Sequence, residues 1–217
     1  MGFLSRLSNS VFKKKTKTDK SQALKCAKNV TEEAATVSVF STSDDTEMVL
    51  TKEDPIPKNA PEALRVVREW IQYKDEHNME KMKELIHEKC FFTFSDSETE
   101  MPSREFIEAC SDCFDSFPDL HFFWKSMKIQ GINSNTSRYP GTVVVIKDYY
   151  GIGKHTGTPY SFGPYPPVEP TGTTVRDENI EFTFTVRDGK IVNATIYAFG
   201  EVVGPPGFYT KVGGMII

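Results

Sequence analysis

From Pro61 to Tyr73 apolar residues recur every three or four positions. Leu64, Val67 and Ile71 form one line, Val66, Trp70 and Tyr73 flank it, and charged residues fill the opposite side. That period predicts an amphipathic helix. A second, short helix is predicted over MEKMKELI after Asn78, and HEKCFFTFSD then turns to residues of strand type. Ser103 reads as the N-cap of a third helix, with an apolar stripe of Phe106, Ile107, Cys110 and Phe114 and a stop at Pro118. Beyond it the pattern is all strand: DLHFFWKSMKIQG, GTVVVIKDYYGIG, ENIEFTFTV and KIVNATIYAF, separated by Gly, Asn, Asp and Pro. Ile180, Phe182, Phe184 and Val186 alternate with Glu181, Thr183 and Thr185, so one face of that strand is buried and the other is wet. Asp188-Gly189 between the last two runs predicts a hairpin turn with positive φ. Helices followed by strands predict an α+β domain, with helices packed on one face of an antiparallel sheet.

The first sixty residues do not share this periodicity. Residues 1–30 hold eight Lys or Arg against the single Asp19, whereas the whole chain of 217 residues has a net charge of -4, so the remainder is acidic. An acidic body argues against nucleic acid as a partner, since phosphate binding needs a basic face. Leu4, Leu7 and Val11 lie at helical spacing beside Arg6 and Lys13 to Lys15. Three readings stand for this opening stretch: an organelle transit segment, a membrane-surface anchor, or a disordered tail. Gly2 invites myristoylation, but Arg6 stands where that motif wants Ser or Thr. Residues 31–60 have linker composition and end in Pro55, Pro57 and Pro61. The predicted division is therefore a tail and linker over 1–60 and one folded domain over 61–217. Four cysteines without a secretory signal point to an intracellular compartment, cytoplasmic or organellar, and no apolar run is long enough to span a bilayer.

Several short segments of this domain resemble the SnoaL-like branch of the NTF2-like superfamily. Phe117-Pro118-Asp119-Leu120 is similar to its FPDL corner, His155-Thr156-Gly157 to its HTG, and Pro170-Thr171-Gly172 to its PTG. Asp188 to Val192 is similar to its DGKIV hairpin, and Val212-Gly213 to its closing LG. The resemblance runs from Pro61 to Gly213. It implies a cone-shaped fold, a curved antiparallel sheet around helices enclosing an apolar cavity, often in a homodimer. Members include polyketide cyclases, an isomerase, dehydratases and non-catalytic binding modules, and fold alone does not choose among them.

The resemblance also implies candidate residues. His155 aligns with the HTG histidine and is a candidate acid, base or orienter. Where relatives carry a cavity-facing Asp after the hairpin, the same distance reaches Phe199, with Glu201 two residues later on the same strand parity. Either Glu201 takes the role of base or proton transfer is lost. Tyr197, Tyr149 and Tyr150 are candidate phenolic donors and Asp148 a second carboxylate, with their faces open because Gly151 and Gly153 invite a bulge. Trp70, Tyr73, Phe184, Phe199 and Tyr150 are the expected cavity lining, with the core as the alternative for Trp70 and Tyr73. Tyr160, Phe162 and Tyr165, in the Pro-rich stretch before Pro170, are candidates for a rim or lid, with a stiff connection without ligand contact as the alternative. Cys110 and Cys113 read as packing, because a reactive CxxC needs its first Cys at a helix N-terminus. No metal-ligand spacing is present and no cofactor is expected. Two functions remain open. One is a cofactor-independent enzyme moving a proton on a hydrophobic small molecule, and the other is a small-molecule-binding or dimerisation module without turnover.

Overall fold

The structure is a computed structural model that describes residues 48–95, 99–134, 137–177, 180–198 and 203–215. The basic N-terminal segment, Phe199 and Glu201 lie outside the described residues. Helix α1 (Glu62–Asp75) follows the predicted stripe, burying Leu64, Val67, Trp70, Ile71 and Lys74. Its chain reverses at His77, which has φ of 55°. Asn78 then caps α2 (Met79–Glu84) by accepting the Lys81 N–H. Helix α3 (Ser103–Ser116) buries Phe106, Ile107, Cys110, Cys113 and Phe114. Pro102, not Ser103, holds its N-cap position, and Ser103 begins the helix without a side-chain cap bond.

The strands are β1 (Val49–Leu50), β2 (Ile86–Phe94), β3 (Thr99–Pro102), β4 (His121–Phe123), β5 (Ser126–Asn133), β6 (Gly141–Lys154), β7 (Thr174–Arg176), β8 (Ile180–Arg187) and β9 (Lys190–Ala198). They are ordered β1-β5-β6-β8-β9-β2-β3, with β4 and β7 flanking the far half of β6. The domain is α+β, a curved sheet with helices against one face. The sheet is antiparallel except where β2 runs parallel to β9. The hairpin between β8 and β9 turns at Asp188 and Gly189, both with positive φ. Trp70 joins helices to sheet, its ring 6.0 Å from Phe92 and 5.3 Å from Phe184, while Phe92 stacks on Phe106 at 3.7 Å. No helix among the described residues is long and apolar enough to cross a membrane.

Three features depart from the sequence pattern. Residues 48–60, which read as linker, contribute β1 to the sheet edge. Val49 pairs with Lys128 and Leu50 with Met127, Leu50 is 4% exposed, and Arg68 donates to the Lys52 carbonyl at 2.8 Å. Backbone pairing at an edge needs only one buried side chain, so linker-like composition does not preclude it. A last helix, α4 (Gly204–Lys211), starts with Pro205 and Pro206, which suit a first helical turn because its N–H groups have no intrahelical partner. The irregularity in β6 falls at Asp148, not at Gly151 or Gly153. Asp148 has φ of 52°, and the register with β8 shifts between Ile146 and Tyr149. Gly153 serves a close approach instead, since a Cβ there would lie 3.1 Å from the Leu120 Cα.

The segment after β6 is tied to the end of α3. Gly157 N–H donates to the Ser116 carbonyl at 3.1 Å and Thr158 N–H to the Asp115 carbonyl at 2.8 Å. A Cβ on Gly157 would come within 1.8 Å of the Asp115 oxygen. Gly157→Ala is therefore expected to cost about 2–4 kcal/mol, as steric strain at a packed site does. Denaturant unfolding with an unchanged slope and a lowered midpoint would show it, and a wild-type midpoint would refute it.

Candidate functional site

A cavity of about 80 Å³ lies between α1, α3, the far half of β6, β8 and α4. Its wall is mostly apolar, including Phe106, Leu120, Phe122, Phe182 and Ile196, and three polar side chains interrupt it: Lys74, Tyr149 and Asp177. Lys74 occupies the next inward position of the α1 stripe after Val67, Trp70 and Ile71, so the helix period carries an amine where an apolar residue is expected. It is only 6% exposed, and its Nζ donates to Tyr149 Oη at 3.0 Å. The same nitrogen lies 4.1 Å from the centre of the Phe122 ring and 5.1 Å from that of Tyr149. Burial pushes the Lys74 ammonium below its ordinary pKa. The aromatic faces, whose quadrupoles attract cations, act the other way.

Tyr149 faces the cavity because of the irregularity at Asp148, which turns it to the same side as Ile146. Burial raises its phenol well above the ordinary value, so it keeps its proton. Since Tyr149 Oη accepts from Lys74, its O–H remains available to donate. Asp177 follows β7 and is 4% exposed. Its backbone N–H donates to the Gly151 carbonyl at 2.9 Å, and its Oδ2 accepts the Gly204 N–H at 2.9 Å, at the start of α4. Its Oδ1 is buried and has no hydrogen-bond partner among the described residues. Burial raises this carboxyl from 3.8 to about 6, against the opposing pull of the Gly204 N–H, Lys211 and Lys74. Cys110 and Cys113 also line the cavity as free, buried thiols. Burial pushes Cys113 up to about 12, so it is protonated, and its Sγ lies 3.1 Å from Tyr160 Oη. Among the described residues no cluster of three His, Cys, Asp or Glu side chains is placed to hold a metal ion.

Of the functional candidates singled out from sequence, Tyr149 lines the cavity and the other described ones are placed elsewhere. His155 is fully buried but is not in the cavity wall. Its ring packs 5.1 Å from that of Phe117, and its Nδ1 lies 3.4 Å from the Thr171 nitrogen. Burial lowers its pKa. Tyr197 pairs with Glu181 on the face opposite Ile196, which does line the cavity. Trp70 and Phe184 belong to the core, and Tyr73 is half-buried beneath the Lys81 amine at 4.9 Å. Tyr150 points to the other face of the sheet, stacked at 5.2 Å on Phe123 with the Arg176 guanidinium 4.2 Å away. Asp148 is exposed and 3.7 Å from Lys125. Tyr160 braces the cavity from behind, its Oη also within 3.2 Å of the Pro205 carbonyl. Phe162 and Tyr165 rest on Tyr209 of α4 at 6.1 and 6.0 Å. None of these three lines the cavity.

Several solved structures are similar to this chain at low sequence identity. IdmH of Streptomyces antibioticus, a candidate polyketide cyclase, is 16% identical over 71% of this chain and 99% of its own, with a TM-score of 0.46. A candidate SnoaL-like polyketide cyclase from Jannaschia is 16% identical over 66% and 88%, with a TM-score of 0.42. A candidate isomerase from Bacillus subtilis is 19% identical over 71% and 94%, with a TM-score of 0.46. No protein-family model and no curated protein matches the chain by sequence. At these identities and scores nothing about activity carries across, and the site has to be read from its own residues.

Of the polar triad, Tyr149 was a candidate phenolic donor by sequence with its face left open by the parity change, and Lys74 left a signal as a lysine on an apolar helical stripe. Asp177 stands in an ordinary polar stretch of sequence. Replacing a buried amine by an apolar chain of similar length removes a desolvation cost, so Lys74→Met is expected to stabilise the fold by about 1–3 kcal/mol. Chemical denaturation measures this, and a destabilised variant would refute it. Asp177 binds its proton more tightly folded than unfolded. Its contribution is therefore complete below the unfolded pKa of 3.8 and is lost as pH rises through about 6, a swing of about 3 kcal/mol. Stability measured across that window should fall less for Asp177→Asn than for the wild type. Parallel curves would show that Asp177 is not perturbed.

Proposed function

We propose that the cavity binds a short apolar carbonyl compound, or the carbonyl end of a larger one, and moves a proton on the carbon beside that carbonyl. The observation that carries this reading is the convergence of a free Tyr149 O–H, backed by Lys74, and an orphaned Asp177 Oδ1 in one apolar cavity. Size supports a small ligand, because an apolar cavity that admits benzene measures about 150 Å³ and this one about 80 Å³.

The chemistry follows from these groups. Tyr149 donates to the carbonyl oxygen, and Lys74 holds the phenol by donating to it. Ionised Asp177 takes the proton from the adjacent carbon through Oδ1. The negative charge that develops on oxygen meets a donor already in place and shielded from water, where such stabilisation is strongest. Asp177 then returns the proton to the same or a neighbouring carbon, which gives exchange or isomerisation. A carboxylate with a pKa of about 6 suits this task near neutral pH.

Deuterium exchange into butanone, followed by proton NMR in heavy water, tests the reading. The expected rate rises with pH through about 6, as Asp177 ionises. It falls by roughly 10²-fold or more in Tyr149→Phe, the cost of an oxyanion donor, and Asp177→Asn abolishes it. Thermal stabilisation by butanone without exchange would overturn the catalytic reading and leave a binding module. Neither stabilisation nor exchange would remove both.

A further inference from the structure

Proton transfer uses the Tyr149 O–H and the Asp177 carboxylate, and leaves the Lys74 amine a supporting part. Its surroundings suit a more direct one. Nζ reaches the cavity wall from α1 inside a ring of aromatic faces, Phe122 at 4.1 Å, Tyr149 at 5.1 Å and Phe182 at 5.6 Å, and among the described residues it bonds only to a phenol. A structural lysine would be expected to pair with a carboxylate or to extend its head into water. Among the described residues this one does neither.

We propose that Lys74 captures the carbonyl group covalently, forming an imine with a short apolar aldehyde or ketone; this rests on the carbonyl-binding reading of the same cavity. The neutral amine attacks the carbonyl carbon, forming the C–N bond as the C=O π electrons move to oxygen. A proton passes from nitrogen to that oxygen, with Tyr149 Oη at 3.0 Å as the relay, and gives a carbinolamine. Protonated Asp177 then donates to the hydroxyl, the C–O bond breaks and water leaves. The nitrogen lone pair closes the C=N bond, producing a protonated imine and an Asp177 carboxylate. That carboxylate is the base the proton-transfer step needs, and the adjacent C–H is made more acidic by the cationic nitrogen. The aromatic faces around Nζ favour the cation, and burial favours the free amine that begins the sequence.

The test is reductive trapping of the full chain with butanal and sodium cyanoborohydride, read by intact mass and peptide mapping. Hydride adds to the imine carbon and leaves one butyl group on the modified nitrogen. Lys74 is expected to be labelled roughly tenfold faster than exposed Lys83 and Lys154, the advantage of an amine whose pKa is lowered. Tyr149→Phe should slow Lys74 labelling by roughly tenfold or more while leaving the surface lysines unchanged. Lys74→Met should abolish the fast phase. If Lys83 and Lys154 are labelled and Lys74 is not, while butanone still exchanges deuterium, covalent capture is refuted and non-covalent proton transfer stands. If Lys74 is labelled but butanone does not exchange, capture stands and the proton-transfer reading falls.

Discussion

Strand β6 must pair with β5 and β8 in its first half and with β4 and β7 in its second, and Asp148 is where it changes from one set to the other. A non-glycine residue at φ of 52° is tolerated best by Asp and Asn, whose short polar side chains fit the left-handed region. The extra residue reverses the alternation, so Ile146 and Tyr149 both face inward although they are three positions apart. Without it Tyr149 and Tyr150 would exchange faces. Lys74 would then lose its hydrogen bond to Tyr149, and the Tyr150–Phe123–Arg176 stack on the outer surface would not form.

The cavity built on that change holds groups that burial disfavours. A buried amine and a buried carboxylate on one wall would normally be drawn into an ion pair. Here each is held by something else, Lys74 by a phenol and aromatic faces, and Asp177 by the first N–H of α4. Burial works on both in the direction of neutrality, lowering the amine and raising the acid. A carboxyl raised to about 6 can exchange protons near neutral pH, and perturbed groups of this kind cluster at sites that do chemistry. The segment from His155 to Thr173 supports the site indirectly. His155 is locked beneath it, Tyr160 braces Cys113, and Phe162 and Tyr165 hold α4 through Tyr209, so α4 can present Gly204 to Asp177.

The α1 stripe, the Asp188-Gly189 hairpin and the alternation along β8 were legible in the sequence because each is a local consequence of chain geometry. A helix repeats every 3.6 residues, a strand every two, and a tight hairpin needs positive φ. Those signals were enough to state helices, strands and an α+β arrangement. The site was not legible on the same terms, since it joins residue 74 on a helix to residue 149 on a strand and residue 177 just after another, far along the chain. Motif position put His155 forward, yet its ring was turned under a loop by contacts with Phe117 and Thr171 that no spacing encodes. Which tyrosine faced inward depended on a one-residue irregularity, and the choice between Asp148 and the two glycines was made by strand pairing. Local periodicity is written in the order of residues, whereas burial, facing and proton affinity arise only when distant segments exclude water from one another.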